Sequence, residues 1–240
     1  MPKPLCGTIA VACLASLVAC ATKAQTQPGD PFVRAFRSLK PSVVLFSMKI
    51  PAEGKNRADR FDEAYGSGVI VASDASGSDV LTVEHVVHGG RTLRATLDER
   101  RSMPARVFAT DNANDLALVR IDAPDRAVAR LGSSRMVEAG MQVGIAGYPI
   151  PDAFADERLG VKTSVYAGRI SSTRRDSFEL DLPVIPGESG GPVFDAQTGA
   201  VVALAESRFD DEKAIGFGIP IDVACAFLRR THVAIRTTAP

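Results

Sequence analysis

With 240 residues, 45% of them hydrophobic, the chain is long enough for one large domain or for a pair of small β-barrels, so core size does not limit the fold. Lys and Arg together number 28, as do Asp and Glu, and this balance leaves no net field to draw in nucleic acid or an anionic membrane surface. The locally basic run from Arg91 to Arg106 is interrupted by Asp98 and Glu99 and reads as the solvated side of a hairpin.

Residues 1–19 have the layout of a signal peptide: a basic start at Lys3, then an apolar stretch from Leu5 to Ala19 that is too short to span a bilayer comfortably. Leu17-Val18-Ala19-Cys20 resembles the lipobox of bacterial lipoproteins, in which Cys20 becomes the lipidated first residue and anchors an exported protein to the envelope membrane. Cleavage after Ala21 or Ala24, which releases a soluble exported protein, is the alternative. Cys6 and Cys13 lie inside the leader and Cys225 is the only thiol in the body, so no intramolecular disulfide is expected. Cys225 itself reads as a small buried apolar residue.

Residues 20–30 are polar, contain Pro28-Gly29 and read as a flexible tether. Pro31 to Lys40 then carries Phe32, Val33, Phe36 and Leu39 on one face of a short helix capped by Asp30. That face either packs on the body or makes a subunit contact; the oligomeric state stays open, a trimer included.

From Pro41 onward the hydrophobic period changes to two. Val43–Lys49, Gly68–Ser73, Val80–Val83, Arg91–Leu97, Ala105–Ala109 and Leu116–Ile121 form one set of short strands. Met141–Gly147, Lys162–Ser172, Ser177–Leu182, Pro192–Phe194, Val201–Ser207 and Ile215–Ile219 form a second. Two sets of about six strands predict an all-β protein of two six-stranded antiparallel barrels. The division expected is a first barrel with its leading helix over 31–130 and a second barrel with a terminal helix over 131–240, with Arg130 to Gly140 as connector. The terminal helix is predicted over Ile221 to Arg230, with Val223, Phe227 and Leu228 inward. No internal sequence repeat is visible.

The chemistry centres on Pro186-Gly187-Glu188-Ser189-Gly190-Gly191-Pro192. A serine is a poor nucleophile until a base takes its proton and nearby donors stabilise the oxyanion. Glycines on either side of Ser189 let the backbone turn and keep the approach of a carbonyl clear. The same residues fit the G-x-S-x-G elbow of α/β-hydrolases, which would recruit Asp222 and His232. The chain has three histidines, His85, His88 and His232. His85 follows a strand, where a barrel end would present it, and Asp115 stands at the mouth of another. The order His85, Asp115, Ser189, with gaps of 115 − 85 = 30 and 189 − 115 = 74, is that of chymotrypsin-type proteases. The hydrolase order needs a parallel sheet with crossover helices, and the chain shows almost none.

The chain resembles the protease domain of the HtrA (high-temperature-requirement) branch of the trypsin-like serine proteases. The resemblance runs through Leu39-Lys40-Pro41-Ser42-Val43-Val44, Gly66-Ser67-Gly68-Val69-Ile70, Leu81-Thr82 to His85-Val86-Val87, and Asp115-Leu116-Ala117-Leu118. It continues through Gly144 to Pro149, Gly168-Arg169-Ile170-Ser171, Gly187 to Pro192 and Ile215 to Pro220, covering about residues 38 to 230. It implies His85 as general base and then acid, Asp115 as its orienter, Ser189 as nucleophile, and the N–H groups of Gly187 and Ser189 as oxyanion hole. Glu84 and Glu188 depart from the family pattern, and each, if close, would raise the proton affinity of His85. The resemblance differs in one respect, in that no PDZ domain of the kind typical relatives carry is expected after the last helix.

The substrate pocket is expected at Leu182, Val184, Ile185, Ala203 and Ala205, an apolar lining that favours cleavage after Val, Ala or Leu, with Glu206 as the residue that could admit a basic side chain. Polypeptides, unfolded ones included, are the expected partners; no metal and no cofactor is expected. An exported serine endopeptidase of the bacterial envelope is the leading reading. A catalytically idle binding or chaperone module, and an esterase using the same serine, are the alternatives.

Overall fold

The structure is a computed structural model that describes residues 29–51, 61–206 and 215–233. The expected leader, Cys20 and all but the end of the expected tether lie outside the described residues. Twelve described strands close into two antiparallel barrels. The first is built from β1 (Val43–Pro51), β2 (Phe61–Asp74), β3 (Gly77–Thr82), β4 (Arg91–Leu97), β5 (Arg101–Asp111) and β6 (Leu116–Ile121), ordered β1-β2-β3-β6-β5-β4 around the ring. The second uses β7 (Gln142–Gly147), β8 (Ser164–Thr173), β9 (Phe178–Leu180), β10 (Pro192–Asp195), β11 (Val201–Glu206) and β12 (Gly216–Pro220), ordered β7-β8-β9-β12-β11-β10. This is the all-β architecture expected, a chymotrypsin-like pair of six-stranded barrels followed by helix α4 (Ile221–Arg230).

Strand boundaries depart from the hydrophobic pattern where pairing outlasts burial. β1 and β2 remain paired from Lys49–Glu63 to Pro51–Phe61 although most of these side chains face solvent, so alternation could not mark that arm. β5 is longer than its apolar stretch for the same reason, with Met103 its one buried side chain. β6 is buried on both faces except at Arg120. That guanidinium meets Asp79 at 3.0 Å and Asp74 at 3.1 Å, which is how a charge is accommodated in an otherwise apolar strand.

Helix α1 (Pro31–Leu39) starts where Asp30 Oδ1 accepts the Phe32 N–H at 2.9 Å and stops at the Lys40–Ser42 turn, where Pro41 has no N–H to continue it. Most of its apolar face packs inside the chain, but Val33, expected on that face, is 45% exposed. Ala35 and Leu39 are buried, and the Phe32 ring centroid lies 5.5 Å from that of Phe194 in β10. A Cβ on Gly144 of β7 would come within 2.7 Å of both rings, so glycine makes the docking possible. The helix that leads into the first barrel therefore packs on the second.

In α4 the buried side chains are Ile221, Ala224, Cys225, Phe227 and Leu228, while Val223 is half-buried and off the centre of the stripe. Cys225 is 3% exposed, and burial pushes its thiol up to about 11, consistent with an apolar filler. One core cluster runs from the first barrel through Ala146, Tyr148, Phe194, Val201, Leu204 and Ile219 of the second and on to α4. A smaller cluster fills the interior of the second barrel. Among the described residues no helix is long and apolar enough to cross a membrane.

Candidate active site

His85 sits on α2 (Glu84–Val87), a single helical turn that directly follows β3. Asp115 precedes β6 in the left-handed region, with φ +50, so its carbonyl and its carboxylate both point back at that turn. Its carbonyl accepts the Glu84 N–H at 3.1 Å, its Oδ1 accepts the His85 N–H at 2.9 Å, and its Oδ2 accepts from His85 Nδ1 at 2.6 Å. The carboxylate thus fixes backbone and ring together and leaves Nε2 to face away. The Asp115 hydrogen bond raises the proton affinity of His85, burial opposes it, and the charges of Asp115, Glu206 and Glu84 add to the rise. Glu206 contributes where Glu188 was expected to, because the Glu188 carboxyl turns into its own loop.

That loop is held from the first barrel and from the β7–β8 connection. The Ser67 N–H in β2 donates to the Ser189 carbonyl at 2.8 Å, and Ser67 Oγ donates to the Gly187 carbonyl at 2.7 Å while accepting the Tyr148 N–H at 3.0 Å. The Thr82 hydroxyl in turn holds the Ser67 carbonyl at 2.7 Å. The Pro186 carbonyl accepts the Ile150 N–H at 2.7 Å, and the Ile185 carbonyl accepts the Glu188 N–H at 2.9 Å. With the carbonyls of Ile185, Pro186, Gly187 and Ser189 all engaged, the N–H groups of Gly187 and Ser189 have no hydrogen bond among the described residues. Gly187 takes φ +96, and a Cβ there would stand 2.2 Å from the Tyr148 carbonyl; both the conformation and the contact require glycine. Gly190, at φ +82, is equally confined, 2.2 Å from the Thr82 hydroxyl for an added Cβ.

His85 and Ser189 come from opposite barrels and line one cavity of about 350 Å³ with Met48, Ala64, Tyr65, Val86, Pro186 and Gly187. The expected pocket residues are placed differently. Leu182, Val184, Ala203 and Ala205 belong to the buried cluster inside the second barrel and do not line this cavity; Ile185 is half-buried in the loop. Glu206 ends β11 and is 8% exposed. The other histidines are elsewhere. His88 Nδ1 meets Glu84 Oε1 at 2.6 Å, and His232 follows α4 and lines a separate cavity of about 730 Å³ with Arg106, Phe108 and Val233. The α/β-hydrolase grouping with His232 is therefore not assembled.

Sequence reasoning passed over Ser67 as a working residue, although its Gly-Ser-Gly motif was in view: a hydroxyl that bonds 120 residues away leaves no local pattern. Ile150 was missed too; it adopts φ +35, costly for a β-branched side chain, and is held there by its bond to Pro186 and by α3 (Pro151–Asp156). Among the described residues no group of three or more His, Cys, Asp or Glu is arranged to hold a metal ion.

Comparison with known proteins gives a consistent answer. The chain is 31% identical over 207 residues to a probable periplasmic serine endoprotease, DegP-like, of Pseudomonas savastanoi pv. phaseolicola, covering 81% of this chain and 40% of that protein. It is 31% identical over 178 residues to the putative serine protease HhoB of Synechocystis, covering 69% of this chain and 40% of that protein. The chain thus spans 40% of the length of these curated relatives. A solved structure of the HtrA-type protease AlgW with a tripeptide superposes with a TM-score of 0.68 at 25% identity, covering 82% of this chain and 62% of that one. The profile of the trypsin-like peptidase domain matches residues 66–204. That match spans more than half of the chain and runs from the β2 segment that braces the serine loop to the β11 strand behind it: the chain belongs to the trypsin-like peptidase domain family.

Proposed function

We propose that the chain is an exported serine endopeptidase in which His85, Asp115 and Ser189 act as a catalytic triad. The observation that carries this reading is the placement of a carboxylate-held imidazole and Ser189 on one cavity between the barrels. His85 Nε2 takes the Ser189 proton as the oxygen attacks the peptide carbonyl, Asp115 stabilises the imidazolium, and the Gly187 and Ser189 N–H groups receive the oxyanion. The proton then passes from His85 to the leaving amine, and water repeats the sequence on the acyl-enzyme. Names of relatives that include periplasmic serine endoproteases support the same class and an exported location.

A fluorophosphonate probe and digestion of an unfolded protein test this directly. Labelling at Ser189 with casein cleavage is expected; labelling without cleavage of any protein favours an esterase, and absence of both favours an idle binding module.

The substrate side chain before the cut meets the apolar, half-buried Ile185, while Leu182, Val184, Ala203 and Ala205 stay in the barrel core, so cleavage follows Val, Ala or Leu. Sequenced products dominated by Arg or Lys would reassign the pocket to Glu206. Cys20 carries the lipid anchor that holds the protein at a periplasm-facing membrane. Cys20→Ala should then move it to the soluble exported fraction, and an unmodified mature N-terminus at Thr22 or Gln25 in the wild type would refute the anchor.

A further inference from the structure

Glu188, next to the nucleophile, is fully buried. Its Oε2 accepts the Ile185 N–H at 2.9 Å while its own N–H donates to the Ile185 carbonyl at 2.9 Å, so a single residue closes the turn at both backbone groups of Ile185. Its Oε1 is buried with no hydrogen-bond partner among the described residues. A buried carboxyl with one unsatisfied oxygen costs stability, and an apolar side chain would fill the same space at lower cost. The other loop contacts show what the carboxyl adds. Ser67 and Ile150 hold the Gly187 and Pro186 carbonyls, but neither reaches Ile185, where the chain enters the turn. The Ile185 N–H has the Glu188 side chain as its partner. The backbone around it offers little slack, since Gly147 lies close enough that an added Cβ would stand 3.3 Å from Glu188 Cβ and 3.0 Å from Ser67 Oγ. On β8, Tyr166 is the ionisable neighbour whose phenol senses the Glu188 charge.

We propose that Glu188 is a positioning residue for the peptidase reaction: by gripping both backbone groups of Ile185 it sets the turn that presents the Gly187 N–H to the oxyanion. The inference rests on the peptidase reading above. It separates two properties of the side chain, reach and charge, and assigns the work to reach. Glutamine keeps an acceptor oxygen at the same distance without a charge. Aspartate keeps the charge but is one methylene too short, and alanine keeps neither.

The test measures kcat and KM on fluorescent casein, and the dissociation constant of a peptide boronic acid, for the wild type and for Glu188→Gln, Glu188→Asp and Glu188→Ala, with a melting curve for each. Glu188→Gln should stay within about threefold of wild type, whereas Glu188→Ala and Glu188→Asp should lose about 10²-fold in kcat, the scale of a misplaced oxyanion donor, with KM within about threefold. Boronate affinity should fall by the same factor as kcat, because the tetrahedral adduct makes the contact that the substrate does not. A Glu188→Ala variant with wild-type kcat and boronate affinity overturns the inference, as does a rise in KM alone. Loss of kcat in Glu188→Gln equal to that in Glu188→Asp also overturns it, since reach would then not matter. If Glu188→Ala does not fold, the Gln and Asp pair decides. A wild type that neither labels with fluorophosphonate nor cleaves casein sinks the peptidase reading itself, whereas an active wild type with an equally active Glu188→Ala sinks only this step.

Discussion

The first barrel runs β1-β2-β3-β6-β5-β4 and the second β7-β8-β9-β12-β11-β10, the same path around each ring, yet they deliver different things to the cleft. The first brings two side chains, His85 on a one-turn helix and Asp115 at a strand mouth, bonded to each other at 2.6 Å. The second brings a glycine-rich loop whose backbone N–H groups at Gly187 and Ser189 are the donors in the proposed mechanism. Side chains that move protons need a fixed ring, and a carboxylate on a neighbouring strand provides it. Backbone donors need carbonyls turned away, and that takes outside hydrogen bonds, one set of which reaches over from Ser67 in the first barrel. A shared strand order is therefore compatible with a sequence in which no repeat is visible: ring closure constrains alternation of apolar residues, while the cleft ends are free to diverge.

The largest expected effects test this division at its chemical centre. Ser189→Ala and His85→Ala should each lower kcat by about 10⁶-fold, and the double variant should be no worse, because such residues act as a unit. Asp115→Asn should cost about 10⁴-fold by holding the wrong imidazole tautomer. Additive losses in steady-state casein hydrolysis would show that the two barrels do not work as one site.

Ser67→Ala tests the bridge between them. It removes the hydroxyl that donates to the Gly187 carbonyl and accepts the Tyr148 N–H, both buried. Leaving those groups unsatisfied should cost about 1–3 kcal/mol in unfolding free energy, and kcat should fall by roughly 10- to 10²-fold through the displaced Gly187 donor. A variant that melts earlier but keeps its kcat would make Ser67 a stabiliser alone.

The sequence displayed the barrels well, because β4, β6 and α4 carry apolar periods that coincide with their ends: Arg91–Leu97, Leu116–Ile121 and Ile221–Arg230. It displayed His85, Asp115 and Ser189 through order and motif, and the structure brings His85 to Asp115 and to the cavity of Ser189. What it did not display depends on contacts distant in sequence. The docking of α1 on β7 needed the missing side chain of Gly144. The inward turn of Glu188 needed the Ile185 N–H. Burial of Leu182, Val184, Ala203 and Ala205 could not be read from alternation, because Leu182 and Val184 follow the short β9 outside any strand and β11 is buried on both faces.

Glu188 and His85, one on each side of the cleft, respond to pH in different ways. Burial pushes the Glu188 carboxyl up to about 7, against an unfolded value near 4.5, and the Ile185 N–H offsets only part of this. Between those values the folded chain holds a proton that the unfolded chain has lost, so stability falls as pH rises from about 4.5 to about 7 and stays lower above it. Glu188→Gln should abolish that decline and gain on the order of 3 kcal/mol at pH 8 relative to wild type, the free energy of a shift of this size. Denaturant melts at pH 5 and pH 8 check it, and equal pH dependence in both proteins would show that the carboxyl reaches solvent.

The smallest expected effect concerns the acidic limb of activity. The Asp115 hydrogen bond raises the pKa of His85 above its ordinary 6.5, with burial acting against it and with the Asp115, Glu206 and Glu84 charges adding to it. In the proposed mechanism proteolysis requires the neutral imidazole, so kcat/KM should rise with pH along a limb displaced to the alkaline side of 6.5. By linkage, the same raised pKa contributes folding stability that is present below 6.5 and is lost as pH climbs through the folded value. Each surrounding carboxylate stabilises the imidazolium, so Glu206→Gln should move the limb to lower pH and Glu84→Gln should do so by less, Glu84 being the weaker contributor and also engaged by His88. Glu188→Gln should leave the limb in place, because its carboxyl turns into its own loop toward Ile185 even though it lies next to Ser189 in sequence. The comparison is clean because none of the three replacements removes a group that touches the scissile bond, and pH profiles of peptide hydrolysis at fixed ionic strength resolve it. A limb that follows Glu188 and ignores Glu206 would mean that the imidazole feels the second barrel through the serine loop, not through the end of β11.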